Sequence, residues 1–386
     1  MKNILLYTAL CVTITSCATA IEENVERIPV NLGSTSNQKG FIKEIEMIPL
    51  ETSNEILIDR IKEIISIPED SSFIIVDKRN LISIFGENGR FYANSQKIKG
   101  DAPHQYNSIV DVSYNPYTQS IEVLTINGEI KSYDQQFNFK ERKRISLEEE
   151  HIPGQFMALD STSYIVAPTI NQNENLFFVN MQNKDSQIAY YGNMIANTNM
   201  DVNSFYNRDK KQYFVPKGIN YYFYEINTEE KKLHPTVYLD FGEEQINQEE
   251  LPGDVHFGRF KGDETGLANF LSEMHKRDEY LASSDYYLPI IKFFNNKYVY
   301  IHAIKKRKPY NYIYNRTTKE AFVQQGNVPV SMRFCLGIND NVLYTYINPY
   351  EIEKYYDADL ITPESKERIA KVQEEDNIII VKYHLK

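Results

Sequence analysis

Four stretches of the chain, 109–145, 156–191, 204–239 and 290–323, follow one plan: strand, turn, strand, turn, strand, turn, strand. Each is about 35 residues long and ends its third strand on Tyr-Asp, Val-Asn, Glu-Ile-Asn or Tyr-Asn before a polar turn. A sheet of four short strands cannot cover its own faces, so units repeating at this period pack radially as propeller blades. Adding 61–98 in front and 331–386 behind makes six. The predicted fold is all-β, a six-bladed β-propeller.

Closure follows from counting strands. The last unit supplies three, Met332–Ile338, Val342–Tyr346 and Ile378–Tyr383. An unassigned β-rich run, Phe41–Leu50, is left to serve as the fourth beside Ile378–Tyr383, closing the ring and removing exposed edges. Two segments break the blade rhythm. Leu267, Phe270, Leu271, Met274 and Leu281 fall at helical spacing within 264–287, and 362–373 has Thr362 as N-cap with Pro363 at the first helical position.

The N-terminus reads as an address. Lys2 precedes an apolar stretch from Ile4 to Ile14 that is too short for a membrane-spanning helix. It ends at Ile14-Thr15-Ser16-Cys17, which resembles the bacterial lipobox, whose cysteine is acylated and becomes residue one. Residues 1–16 are therefore expected to be a lipoprotein signal peptide, 17–40 a tether and 41–386 the propeller. Cys11 leaves with the signal and Cys17 carries lipid, so Cys335 alone remains and no intramolecular disulfide is available. Arg333-Phe334-Cys335-Leu336 reads as a strand in which the thiol is a small buried hydrophobe.

The whole mature chain resembles the six-bladed β-propeller lipoproteins of Bacteroidetes. The likeness is carried by Leu50-Glu51-Thr52, Asp77, Gly86-Glu87-Asn88-Gly89-Arg90-Phe91 and Asp376-Asn377-Ile378-Ile379-Ile380-Val381-Lys382-Tyr383. It is carried also by Gly100-Asp101-Ala102-Pro103-His104-Gln105-Tyr106, where the family's interblade loop commonly reads Gly-x-Gly-Pro-x-Glu-Tyr. Ala102 and Gln105 depart from that pattern. The resemblance implies the same fold and an outer-membrane lipoprotein on the cell surface or the periplasmic face. Glu22-Glu23 resemble the acidic export signal of surface lipoproteins in that phylum.

Chemistry is sparse. A net charge of -11 argues against a nucleic-acid partner, since phosphate binding requires a basic surface. The seven histidines form no HxH or HExxH pair, and no phosphate cradle, nucleophile elbow or Ca²⁺ loop occurs, so no metal, cofactor or catalytic residue is assigned. His302 lies in an alternating strand and reads as structural. Ligand contacts are expected instead from the segments that break the repeat: 100–107, 251–262 and the helix near 264–283. The candidates are His104, Gln105 and Tyr106 in the first and Asp254, His256 and Arg259 in the second, which together offer donors, acceptors and an aromatic face. The leading reading is an envelope-anchored, non-catalytic binding or scaffolding propeller whose ligand is a glycan, a peptide or a partner protein. The alternative is a glycan hydrolase or lyase with its site at the axial mouth.

Overall fold

The structure, a computed structural model, describes residues 25–67, 72–145, 147, 151–169, 175–192, 203–208, 211–246, 250–252 and 264–386. The chain begins with β1 (Glu26–Pro29), α1 (Gln38–Phe41) and β2 (Ile42–Pro49). Blade one is β3 (Ile61–Ile67), β4 (Ser72–Asp77), β5 (Ile82–Gly86) and β6 (Phe91–Asn94). Blade two is β7 (Asp111–Asn115), β8 (Ser120–Leu124), β9 (Glu129–Tyr133) and β10 (Phe139–Arg144). Blade three is β11 (Pro153–Ala158), β12 (Ser163–Pro168), β13 (Asn175–Asn180) and β14 (Asp185–Tyr190). Blade four is β15 (Phe205–Arg208), β16 (Lys211–Phe214), β17 (Tyr222–Asn227) and β18 (Lys232–Asp240). After α2 (Glu264–Ser283) comes blade five: β19 (Leu288–Phe294), β20 (Tyr298–Lys305), β21 (Lys308–Asn315) and β22 (Ala321–Gln325). Blade six holds β23 (Gly337–Asn339), β24 (Val342–Ile347) and β25 (Ile379–Leu385), with α3 (Ile352–Tyr355) and α4 (Pro363–Ile369) between the last two.

The molecule is a six-bladed β-propeller. β2 is the outermost strand of blade six, antiparallel to β25 with Ile45 opposite Tyr383 and Ile48 opposite Ile380. The N-terminal strand thus completes the last blade, as the strand count requires. Its free edge is covered: the Met47 N–H donates to Ser365 Oγ at 2.8 Å, and Ile45 exchanges backbone bonds with Leu360 and Thr362. Thr362 caps α4 by accepting from the Ser365 N–H, with Pro363 next to it.

Six hydrophobic clusters fill the six gaps between neighbouring blades. Buried polar groups also staple blades together. The Asp111 carboxylate on β7 accepts the Phe156 N–H of β11 at 3.0 Å, and Glu122 accepts from the Tyr164 hydroxyl at 2.9 Å. The Lys292 ammonium on β19 donates to the carbonyls of Gly218 at 2.6 Å and Asn220 at 3.1 Å, in blade four.

Two features differ from the sequence reading. Within the stretch 17–40 assigned to a tether, β1 pairs in parallel with β18 as a fifth strand of blade four. Its Ile28 is fully buried, Arg27 pairs with Asp240 at 2.7 Å, and Ser36 then bonds to Val323 of blade five. The segment is a strap across three blades. The expected strand Met332–Ile338 is regular only at Gly337–Asn339. Side chains take its backbone donors: Met332 N–H bonds to Gln324 Oε1 at 2.6 Å, and Cys335 N–H to the Tyr300 hydroxyl at 2.8 Å. Met332 and Cys335 turn into the core between blades five and six, and burial pushes the Cys335 thiol well above its ordinary pKa.

Each blade's first strand is innermost, and the inner strands all run in the same sense. Connections between blades therefore share one face, here called upper. The turns between first and second strands share the other, the lower face.

Candidate functional site

An axial cavity of about 230 Å³ is lined by inner strands from five blades. Blade one contributes Glu63 to Ser66, blade two Ser113 and Tyr114, and blade three Met157. Blade four contributes Phe205 to Arg208, and blade six Ile338 and Asn339 with Tyr344 from β24. These positions lie toward the ends of the inner strands, so the cavity sits toward the lower face.

Local packing fixes its aromatic and charged groups. Tyr206 lies edge-on to Phe293 of blade five, ring centroids 5.7 Å apart, and its hydroxyl donates to the Asn203 carbonyl. Tyr344 lies over Gly337 so closely that a Cβ there would fall 2.0 Å from its hydroxyl oxygen. Glycine is required at 337 for this approach, although its φ is ordinary. Arg208 reaches across the front of blade five: its Nη1 donates to the Asn207 carbonyl at 3.0 Å, and its Nη2 to the Ile338 carbonyl of blade six. Among the described residues the guanidinium forms no ion pair, and its Nε–H has no acceptor.

The phenols are tuned away from acid–base work near neutrality. Burial pushes Tyr206 well above its ordinary pKa, with the neighbouring Tyr344 and Glu63 adding to the rise and Arg208 opposing it. Burial likewise raises Tyr344, opposed by Arg208 and reinforced by Glu63. Glu63 is the one carboxylate among the described lining residues, so the paired carboxylates of glycoside hydrolysis are not assembled there. Among the described residues no group of three or more His, Cys, Asp and Glu side chains is placed to hold a metal ion.

The loop chosen from sequence lies elsewhere. Residues 100–107 join blade one to blade two on the upper face, and most of their polar groups are used within the fold. Tyr106 is 1% exposed, with its hydroxyl bonded to Ser95 and donating to the Asn80 carbonyl at 3.2 Å. Gln105 accepts the Ala102 N–H at 3.2 Å, and its carbonyl receives the Lys131 ammonium. The His104 ring is exposed beside Phe139, and its carbonyl accepts the Tyr133 hydroxyl at 3.1 Å. Asp254, His256 and Arg259 lie outside the described residues, as does Cys17. α2 follows blade four, three blades from the 100–107 loop and so across the axis from it. His302, read as structural, is buried and bonded to Asn311 Oδ1 at 3.0 Å, and burial lowers its pKa.

A family model described as "Domain of unknown function (DUF4934)" matches residues 25–384. The chain belongs to the DUF4934 family. The match starts at the strap and ends in the closing strand β25, so in this DUF4934 chain the family unit is the whole closed ring. The crystal structure of a Bacteroides fragilis protein named as exported is similar, with 14% sequence identity and a TM-score of 0.68 over 94% of this chain and 99% of that one. The β-propeller domain of Cps50 (Swd1) from Myceliophteria thermophila is 8% identical, with a TM-score of 0.38 over 71% of this chain and 89% of that one. No curated protein matches the sequence. At such identities the Bacteroides likeness shows the fold alone.

The cavity residues left a faint trace in the sequence. Glu63, Ser66, Ser113, Asn207 and Arg208 are polar interruptions in the first strand of their blades. In a propeller that strand faces the axis, so aligning the repeats by first strand singles these positions out.

Proposed function

We propose that this protein is an envelope lipoprotein whose propeller binds, without turning over, a small polar ligand such as the end of a glycan in its axial cavity. The observation that carries the reading is the lining itself. Inner strands of five blades converge tyrosine rings, amides, hydroxyls, one guanidinium and one carboxylate on a single cavity, the mixture of apolar walls and few polar groups a ligand site needs. At about 230 Å³ it is smaller than the ~300–1,000 Å³ usual for drug-sized ligands, which suits one sugar ring better than a protein loop. Raised phenol pKa values and a lone lining carboxylate favour binding over hydrolysis or elimination.

A glycan array followed by calorimetry tests this. Gly337→Ala displaces the Tyr344 ring, and repacking of this kind costs about 1–3 kcal/mol of stability. The variant is expected to stay folded and to lose the binding that wild type shows, while His104→Ala on the upper face keeps it. Equal binding by the Gly337 variant, or release of a product, contradicts the reading.

Anchoring rests on Cys17. Eight residues lie between it and Glu26 on the rim of blade four, so nine steps span at most about 32 Å at the ~3.3–3.6 Å reach of an extended residue. Cys17→Ala is expected to move the protein from the membrane fraction to the soluble or precursor fraction. Unchanged partitioning would rule out the lipid anchor.

A further inference from the structure

Arg208 lines the axial cavity with Glu63, yet among the described residues no carboxylate lies within ion-pair distance of its guanidinium, and its Nε–H has no acceptor. Arg208 stands at the end of β15, turned inward among Tyr206, Asn339 and Ile338. Its hydrogen bonds among the described residues go to neutral acceptors, the carbonyls of Asn207 and Ile338, which fix the guanidinium plane. Two other partly buried arginines are ion-paired: Arg333 with Glu351 at 2.8 Å and Arg316 with Glu26. A guanidinium in a cavity with only carbonyls as hydrogen-bond partners and its Nε–H unbonded has donor capacity that an acidic ligand satisfies.

From this we propose that the ligand bears a carboxylate and that Arg208 receives it: the cavity is built for an acidic sugar, a uronic or sialic acid residue. The inference rests on the axial cavity being the binding site, and it names the class of ligand that site takes. Arginine suits the task because its planar fork meets a carboxylate through two parallel N–H bonds, which an ammonium cannot do. Asn203, Asn339, Ser66 and Ser113 line the same space and supply amides and hydroxyls for a sugar's hydroxyl groups. Tyr114, Tyr206 and Tyr344 supply ring surface for its apolar face. Cavity size confines recognition to a terminal residue, so the reducing or non-reducing end of an acidic glycan fits and the middle of a chain does not.

Titration of the full mature chain with glucuronic acid, N-acetylneuraminic acid and glucose tests both levels. With no tryptophan in the chain, tyrosine emission reports directly, and calorimetry supplies an independent readout. Wild type is expected to bind at least one acid at least tenfold more tightly than glucose, and more weakly as salt rises. Arg208→Met should lose at least tenfold in acid affinity and lose much less in glucose affinity. Arg208→Lys should recover only part, because charge returns without the fork. If glucose binds as well as the acids and Arg208→Met changes nothing, the acidic-sugar inference fails while the axial site stands. If neither acids nor neutral sugars bind, the site reading fails as well. Should Arg208→Met melt at a much lower temperature, the salt dependence of wild type decides: acid binding indifferent to salt overturns the role given to Arg208.

Discussion

Deleting residues 25–50 is expected to turn the protein into an aggregating species. The deletion removes β2, whose Ile42, Ile45, Met47 and Ile48 are all 0% exposed and shared between the two clusters flanking blade six. Burial of such a side chain contributes about 1.5–3 kcal/mol, so the four together approach the whole ~5–15 kcal/mol of a typical domain. The loss also leaves β25 as a bare edge with its ladder donors and acceptors open. A shorter deletion, 25–36, removes β1 and its ion pairs Arg27–Asp240 and Arg316–Glu26 but leaves the ring closed. That variant should elute like wild type with a lowered melting temperature. Size-exclusion chromatography and thermal melting distinguish the two. A 25–50 deletion that elutes and melts like wild type would refute closure by the N-terminal strand.

A second large effect concerns pH. Lys292 is 3% exposed, has only carbonyls for partners, and is pushed by burial from 10.5 down to about 7. Between about pH 7 and 10.5 the unfolded chain therefore holds a proton there that the folded chain lacks, so stability rises with pH across that window. From pH 7 to pH 9 the gain from this group is about 2 kcal/mol, since the slope reaches its full ~1.36 kcal/mol per pH unit only once the folded-state lysine has lost its proton. Asp111 acts with the opposite sign. Burial raises its carboxyl from 3.8 to about 6, against the Phe156 N–H and the charges of Lys217 and Lys62, so the folded chain holds the extra proton. Its contribution is full below about pH 4 and is lost as pH rises to about 6. The two groups together place a stability minimum between about pH 6 and 7. Denaturant titrations should show Lys292→Met flattening the alkaline arm and Asp111→Asn the acid arm. Parallel curves for wild type and both variants would show that neither group titrates in the fold as described.

Neither staple was legible in the sequence, whereas the blade pattern was. The blade pattern survives because each strand buries an alternating face and each turn carries its own chemistry. The cap at Thr362-Pro363 is where residue type alone puts it. Closure was legible because a strand short on one side of the chain had to match a strand left over on the other. The strap at 26–29 was not, since four residues with only Ile28 fully buried give no period to detect. Nor was the irregular start of blade six, where Gln324 and Tyr300 replace ladder partners from distant positions. Sequence reasoning looked for contacts in repeat-breaking loops. There the 100–107 loop spends Tyr106 and Gln105 on its own packing, whereas Arg208 acquires meaning only when β15 and β23 meet at the axis.

The axial site is tested most directly by NMR on tyrosine-labelled protein, titrated with the acidic sugar that calorimetry ranks first. Resonances of Tyr206 and Tyr344, assigned by single Tyr→Phe variants, should shift with one saturable constant, while Tyr106 on the upper face stays still. Shifts confined to Tyr106 and its loop, or no shift in any of the three at saturating sugar, would contradict a binding site on the axis.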